Sequence, residues 1–145
     1  MSELRSAVVP SRSDFRAWQV IPTRWHDNDH YGHVNNAVYY SYFDTAISGF
    51  MIEATGTDVR KLEAIGIVAE TGCRYLKELS YPDLLNVGIG LDKIGKSSVV
   101  YRLGIFREGE QTPAAIGRFV HVYVDPQTHA VAQVPAPIRA ALARL

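Results

Sequence analysis

NNAVYYSYFDTAISGFMIEATG, residues 35–56, is the one stretch of this chain that reads as a long helix. Tyr39, Tyr42, Phe43, Ala46, Ile47, Phe50 and Met51 recur three and four positions apart, which gathers them on one helical face. Val38 and Tyr40 fall outside that face, so the helix is expected to be covered on most sides. Asn35 or Asn36 offers an N-cap, and Gly56 offers a stop.

The rest of the chain has a different period. Phe15 to Trp25 partly alternates apolar and polar residues and reads as a first strand, interrupted near Pro22. A short helical turn is expected around Val59 to Ala64. Segments 67–79, 85–94, 97–107 and 114–125 are strand-like, separated by YPD, IGK and REGEQTP. In the third of these Ser97, Val99, Tyr101, Leu103 and Ile105 share one face; in the fourth Ile116, Arg118, Val120, Val122 and Val124 do the same. DPQTH (125–129) is a turn, and a short helix begins near Pro137. One apolar helix among several long, mostly antiparallel strands predicts an α+β domain with a sheet curled around the helix. Residues 1–14 are expected to be a flexible lead-in, and 15–145 one domain.

The bulk properties remove several functions. The chain has 145 residues, of which 47% are hydrophobic, enough for an ordinary core. Fifteen basic and fifteen acidic residues cancel. A nucleic-acid binder that works by counterion release needs a basic excess, so no nucleic-acid partner is expected. The lone cysteine, Cys73, reads as a small packed residue and points to a reducing, cytoplasmic setting. No signal-peptide core and no apolar run of membrane-spanning length is visible.

Upstream of the helix lies HDNDHYGHVNN, residues 26–36, with three of the five histidines and two aspartates. It begins like a calcium loop, but the fifth and twelfth ligand positions fall on Tyr31 and Val38, which carry no carboxylate. The histidine spacings match no established zinc pattern, and no second ligand cluster accompanies them, so no metal is expected. A polar turn that caps a helix is the plain reading. Against it, a carboxylate just before a helix N-terminus faces oriented N–H groups able to hold an oxyanion. The aromatic run Tyr39, Tyr40, Tyr42 and Phe43 also suits an apolar pocket wall.

RWHDNDHYGHVNNAVYYSYFD (24–44) resembles the signature Arg-Trp-x-Asp-x-Asp-x-x-Gly-His-Val-Asn-Asn of the 4-hydroxybenzoyl-CoA thioesterase-like branch of the hotdog-fold acyl-CoA thioesterases. The similarity continues through IVAETGCRYLKELSYPDLLNVGI, LDKIGKSSVVYRL and GRFVHVYVD, and so covers roughly residues 15 to 140. It implies a hotdog fold, an antiparallel sheet of five or so strands wrapped around one long helix. It also implies homodimers or homotetramers with active sites at subunit interfaces, and hydrolysis of an acyl-CoA, or an acyl-carrier-protein thioester, without cofactor or metal.

The resemblance places the catalytic carboxylate on Asp29, as nucleophile or general base, and the carbonyl-polarising N–H near Asn36. His33 belongs to the same motif. Asp27 is expected to hold the loop through backbone N–H groups. Tyr39, Tyr40 and Phe43 are candidates for the acyl pocket; Lys77, Lys93, Lys96, Ser97, Ser98 and Arg118 are candidates for the CoA half. His26 stands where relatives often have a small residue, and Asp44 is a runner-up carboxylate on the helix. Two alternatives stay open: a non-catalytic acyl-CoA-binding hotdog protein and an enoyl-CoA hydratase. The hydratase pairing of Asp with a His five residues later is absent, since Gly32 and Val34 occupy those places.

Overall fold

Helix α1 spans Val38–Thr55, and the residues at its three-and-four spacing are the ones the protein buries: Tyr39, Tyr42, Phe43, Ala46, Ile47, Phe50 and Met51. The computed structural model of the chain describes Leu4 and residues 8–145. The expected lead-in therefore lies partly outside the described residues. Gly56 ends α1 as expected, in a left-handed conformation (φ 63°) that only glycine adopts freely, with its N–H donated to the Ile52 carbonyl. The start differs from expectation. Ala37 is the N-cap and caps nothing with its side chain; Asn35 Oδ1 instead accepts the Ala37 N–H at 2.9 Å.

Five strands wrap this helix: β1 (Ala17–Pro22), β2 (Ile65–Tyr75), β3 (Leu84–Ile94), β4 (Ser98–Arg107) and β5 (Ala115–Val124). They form one antiparallel sheet in the order β1-β3-β4-β5-β2. A second helix, α2 (Ala136–Leu142), buries Ile138, Ala141 and Leu142. The helical turn expected after α1 is a short 3-10 turn at Val59–Lys61. No helix among the described residues is long and apolar enough to cross a membrane.

β4 faces the core as its alternation predicts, with Val99, Tyr101, Leu103 and Ile105 fully buried. On β5 the shared face of Ile116, Arg118, Val120, Val122 and Val124 is the one turned away from α1, although Ile116 and Val124 at its ends are also buried. Phe119, His121 and Tyr123 are buried, whereas Arg118, Val120 and Val122 are half-exposed. The reason is contact with α1: Phe119 meets Phe43 edge to face at 5.8 Å, and Gly117 lies beneath the same ring. A Cβ on Gly117 would come within 2.6 Å of the Phe43 ring, whose side chain is fully buried and has nowhere to retreat. Gly117→Ala is therefore expected to cost about 1–3 kcal/mol by overpacking, read from urea unfolding midpoints.

The outer face of the sheet carries its own aromatic cluster of Phe15, Trp18 and Phe106, in edge-to-face pairs. Arg12 lies over Trp18 and Phe106 and donates to Asn86 Oδ1 and to the Glu110 carbonyl. At the sheet's end, β2 has one free edge and exposes Ile67 and Val68.

Candidate active site

The loop before α1 is built around two aspartates with opposite surroundings. Asp27 is buried to 1% exposure at the end of a 3-10 turn, Trp25–Asp27. Its Oδ2 accepts the Arg24 N–H (2.9 Å) and the Tyr42 hydroxyl (2.8 Å); its Oδ1 accepts the Arg24 guanidinium. Burial by itself would raise its carboxyl, but the Arg24 N–H, the Tyr42 hydroxyl and the Arg24 guanidinium together hold it below the usual carboxylate range. The Asp27 carbonyl also accepts the Asn35 N–H, so this residue ties the loop to the start of α1. The expected loop-holding role of Asp27 thus extends to a side chain of the helix itself.

Asp27→Ala leaves the buried Tyr42 hydroxyl without its acceptor and removes three charge-assisted bonds. A loss of about 2–3 kcal/mol is expected. Because the folded pKa lies below the unfolded one, the carboxylate's contribution is full at neutral pH and fades as pH falls through the folded pKa. The wild-type advantage over Asp27→Ala should therefore be flat above about pH 6 and shrink on acidification. Unfolding measured across that range checks both the size and the sign.

Asp29 is half-exposed and sits in a tight turn. Its N–H donates to the His33 carbonyl (2.8 Å), and its carbonyl accepts the Gly32 N–H (3.1 Å). Gly32 has φ 85°, the left-handed conformation that the turn requires. The Tyr31 N–H (2.9 Å) and, more weakly, the His33 N–H (3.4 Å) donate to Asp29 Oδ1. Oδ2 accepts nothing from the described residues. One oxygen fixes the side chain and the other stays available.

The start of α1 shows a matching asymmetry. Asn35 N–H donates to the Asp27 carbonyl, Ala37 N–H to Asn35 Oδ1 and Val38 N–H to the Asn35 carbonyl, each at 2.9 Å. The Asn36 N–H, between them, has no acceptor among the described residues. On the next peptide along, the Tyr75 hydroxyl donates to the Asn36 carbonyl at 2.8 Å. An unpaired amide at a helix N-terminus suits an anion or a polarised oxygen.

These groups share one cavity of about 560 Å³, lined by Asp29, His33, Asn36, Tyr39, Tyr75 and Lys77, with Tyr31, Val34, Leu76 and Glu78 around them. His33 Nε2 meets Glu78 Oε2 at 3.0 Å across the wall. The segment that carries Glu78 is fastened to the loop by three bonds. Val34 N–H donates to the Leu79 carbonyl, the Ser80 hydroxyl to the Gly32 carbonyl and Tyr81 N–H to Asn28 Oδ1. Arg107 holds the same segment from behind, on Asp83 and on the Glu78 carbonyl. Burial, followed by neighbouring Cys73, pushes the Tyr39 hydroxyl up to about 12, so it is a neutral wall group at pH 7. Burial pushes the Cys73 thiol up to about 12 as well, which leaves it unreactive.

The structure thus brings together Asp29, His33, Asn36, Tyr39 and Lys77. Lys77 bonds Glu110 and Thr112 at the rim. Other sequence candidates lie elsewhere in the chain. Phe43 is fully buried against Phe119, and Tyr40 packs near the same ring. Lys93 is exposed on β3, while Lys96, Ser97 and Ser98 lie in and beside the β3–β4 turn; the Lys96 carbonyl there accepts Arg139 and the Val134 N–H. Arg118 pairs with Glu70 across β5 and β2. Asp44 is exposed on α1 and does not line the cavity. Tyr75 and Glu78 are cavity residues that the sequence did not single out. Their only sequence signal is the polar, aromatic end of a strand.

Residues 23–142 match the thioesterase-like superfamily, and the chain belongs to that family. It is 42% identical to the PA5185 protein of Pseudomonas aeruginosa, with 95% of this chain and 96% of that one covered and a TM-score of 0.91. It is 29% identical to PA2801, a putative thioesterase of the same organism, over 88% of this chain and 98% of that one, with a TM-score of 0.81. A 1,4-dihydroxy-2-naphthoyl-CoA thioesterase from Synechocystis shares 13% identity over 89% of this chain and 96% of that one; its TM-score of 0.81 reflects a common fold. The architecture is the hotdog fold, and the protein is a thioester hydrolase.

Proposed function

We propose that the protein hydrolyses an acyl-CoA to a free acid and CoA in the cavity between Asp29 and Asn36. The observation that carries this reading is the pairing of one uncommitted carboxylate oxygen with one uncommitted helix N-terminal amide in the same cavity. With the thioester carbonyl oxygen on the Asn36 N–H, the carbon lies open to attack by Asp29 or by a water that Asp29 deprotonates. Negative charge then collects on the carbonyl oxygen, where the amide and the α1 N-terminus stabilise it. The tetrahedral intermediate collapses with release of the CoA thiolate. If Asp29 is the nucleophile, water hydrolyses the resulting anhydride; if it is the base, the acid forms directly.

His33, Tyr39 and Tyr75 shape the cavity in this account, and Lys77 contacts the CoA half at the rim. Lys93, Lys96, Ser97, Ser98 and Arg118 join the CoA contacts only if a second subunit brings its sheet to this cavity. An assembly of two or four copies is part of the proposal. The free edge of β2, with exposed Ile67 and Val68, supports it, because such edges are normally covered. Light scattering on the purified protein measures the copy number.

The direct test is thiol release over short, long and aromatic acyl-CoAs, with acyl-carrier-protein thioesters alongside. Turnover of at least one acyl-CoA supports the proposal. Turnover confined to carrier-protein thioesters, or saturable binding without thiol release, sinks it; the second result favours a binding protein.

A further inference from the structure

A second cavity, of about 380 Å³, lies against the C-terminal half of α1 and shares no lining residue with the Asp29 cavity. Along α1 the two are separated by Tyr40 and Phe43, both packed near Phe119. Its walls include Ile47, Met51, Leu62, Ala64 and Ile138. Among the polar side chains of this lining (Ser48, Arg60, Tyr101, His121 and Tyr123), Tyr101 is fully buried and His121 is 9% exposed. Their rings meet edge to face at 5.2 Å, yet Tyr101 Oη and His121 Nε2 have no hydrogen-bond partner, in each other or elsewhere among the described residues.

Buried polar side-chain atoms are nearly always partnered, and two unpartnered ones lining the same cavity are exceptional. Apolar walls with a few placed polar groups describe a small-molecule site, and this volume falls within the range for one. It is also roughly twelve times the ~30 Å³ that a single water occupies in the liquid. We propose that this cavity is a second binding site, for a small, neutral, apolar molecule that carries one hydroxyl, of the phenol class.

Three features select that chemistry. Burial pushes the His121 imidazolium down, against a smaller opposing pull from Asp44, so the ring is neutral at pH 7. A charged ligand would then lose its hydration with no opposite charge inside the cavity; Arg60, the cation among the lining residues, is exposed and paired with Asp58. A single hydroxyl both donates and accepts, and so serves Tyr101 Oη and His121 Nε2 together. Met51, Tyr101 and Tyr123 bring a thioether and two aromatic rings to the lining, which favours an aromatic body over an alkyl one.

The test compares p-cresol with toluene, which has the same ring and methyl but no hydroxyl, by ligand-observed NMR titration of the full chain. The wild type should bind p-cresol about tenfold more tightly than toluene. In Tyr101→Phe and in His121→Leu that preference should fall to about threefold or less. Ser48→Trp, at the exposed rim, should weaken both ligands and serves as the probe if an interior variant fails to fold. Equal affinity for the two ligands, no binding of either at millimolar concentration, or no effect of Ser48→Trp would overturn the proposal. So would a p-cresol preference that survives in folded Tyr101→Phe and His121→Leu, which would place the ligand elsewhere. None of these readouts uses thioester turnover, so this inference and the Asp29 mechanism fail separately.

Discussion

Asp29→Asn is expected to lower kcat/KM by about a thousandfold, or roughly 4 kcal/mol of transition-state stabilisation, with little change in stability. The asparagine side chain has the same shape, and its carbonyl oxygen can still accept the Tyr31 and His33 N–H groups that hold Asp29 in place. The loop should therefore keep its form. What disappears is the charge on the uncommitted oxygen, and with it both the nucleophile and the base. Thiol release, measured beside thermal unfolding, separates the two effects. A loss within about threefold, or 0.65 kcal/mol, would remove Asp29 from the chemistry.

Asn36→Pro is the second large effect. Its amide makes no hydrogen bond that the fold needs, and its side chain makes none either among the described residues, so proline deletes the proposed oxyanion donor and little else. The Val38 N–H donates to the Asn35 carbonyl, which makes Asn36 the second residue of a turn, a place that proline favours. Loss of one such donor costs about 100- to 1000-fold in kcat in other hydrolases. Asn36→Ala is the control, because it keeps the N–H and should stay within about threefold of wild type. If both variants fall alike while unfolding normally, the side chain matters and the amide does not.

The sequence legibility of this molecule follows its periodicities. The buried face of α1 was readable residue by residue because a helix repeats every 3.6 positions and one face is much more apolar. β5 is legible only as an alternation, without the direction in which each face points. Ile116, Val120, Val122 and Val124 are β-branched, yet the face that meets Phe43 carries Gly117, Phe119, His121 and Tyr123, while Ile116 and Val124 are buried on the other side. Contact with Phe43 decides the facing, and no period within the strand reports it. The start of α1 was one residue off in kind: an Asn is involved, but as a local turn bond to Ala37 and not as the N-cap.

The site divides in the same way. Asp29 and Asn36 lie seven positions apart in one motif, so local sequence holds them together. Tyr75 reaches the Asn36 carbonyl from 39 positions away, and Glu78 reaches His33 from a loop after β2. Such pairings exist only once the sheet has formed. The cavity that holds Tyr101 and His121 was hidden for the same reason, since β4 and β5 must pair before those rings meet.

In the proposed mechanism Asp29 and the Asn36 amide act on one carbonyl group. A double-mutant cycle of kcat/KM over wild type, Asp29→Asn, Asn36→Pro and the double variant, with a single acyl-CoA, tests that claim most directly. Groups that act as a unit lose much of their separate effect once either is gone. The double variant is therefore predicted to fall no more than about tenfold below the weaker single variant. Losses that simply multiply would show two independent contributions and contradict the shared-carbonyl mechanism.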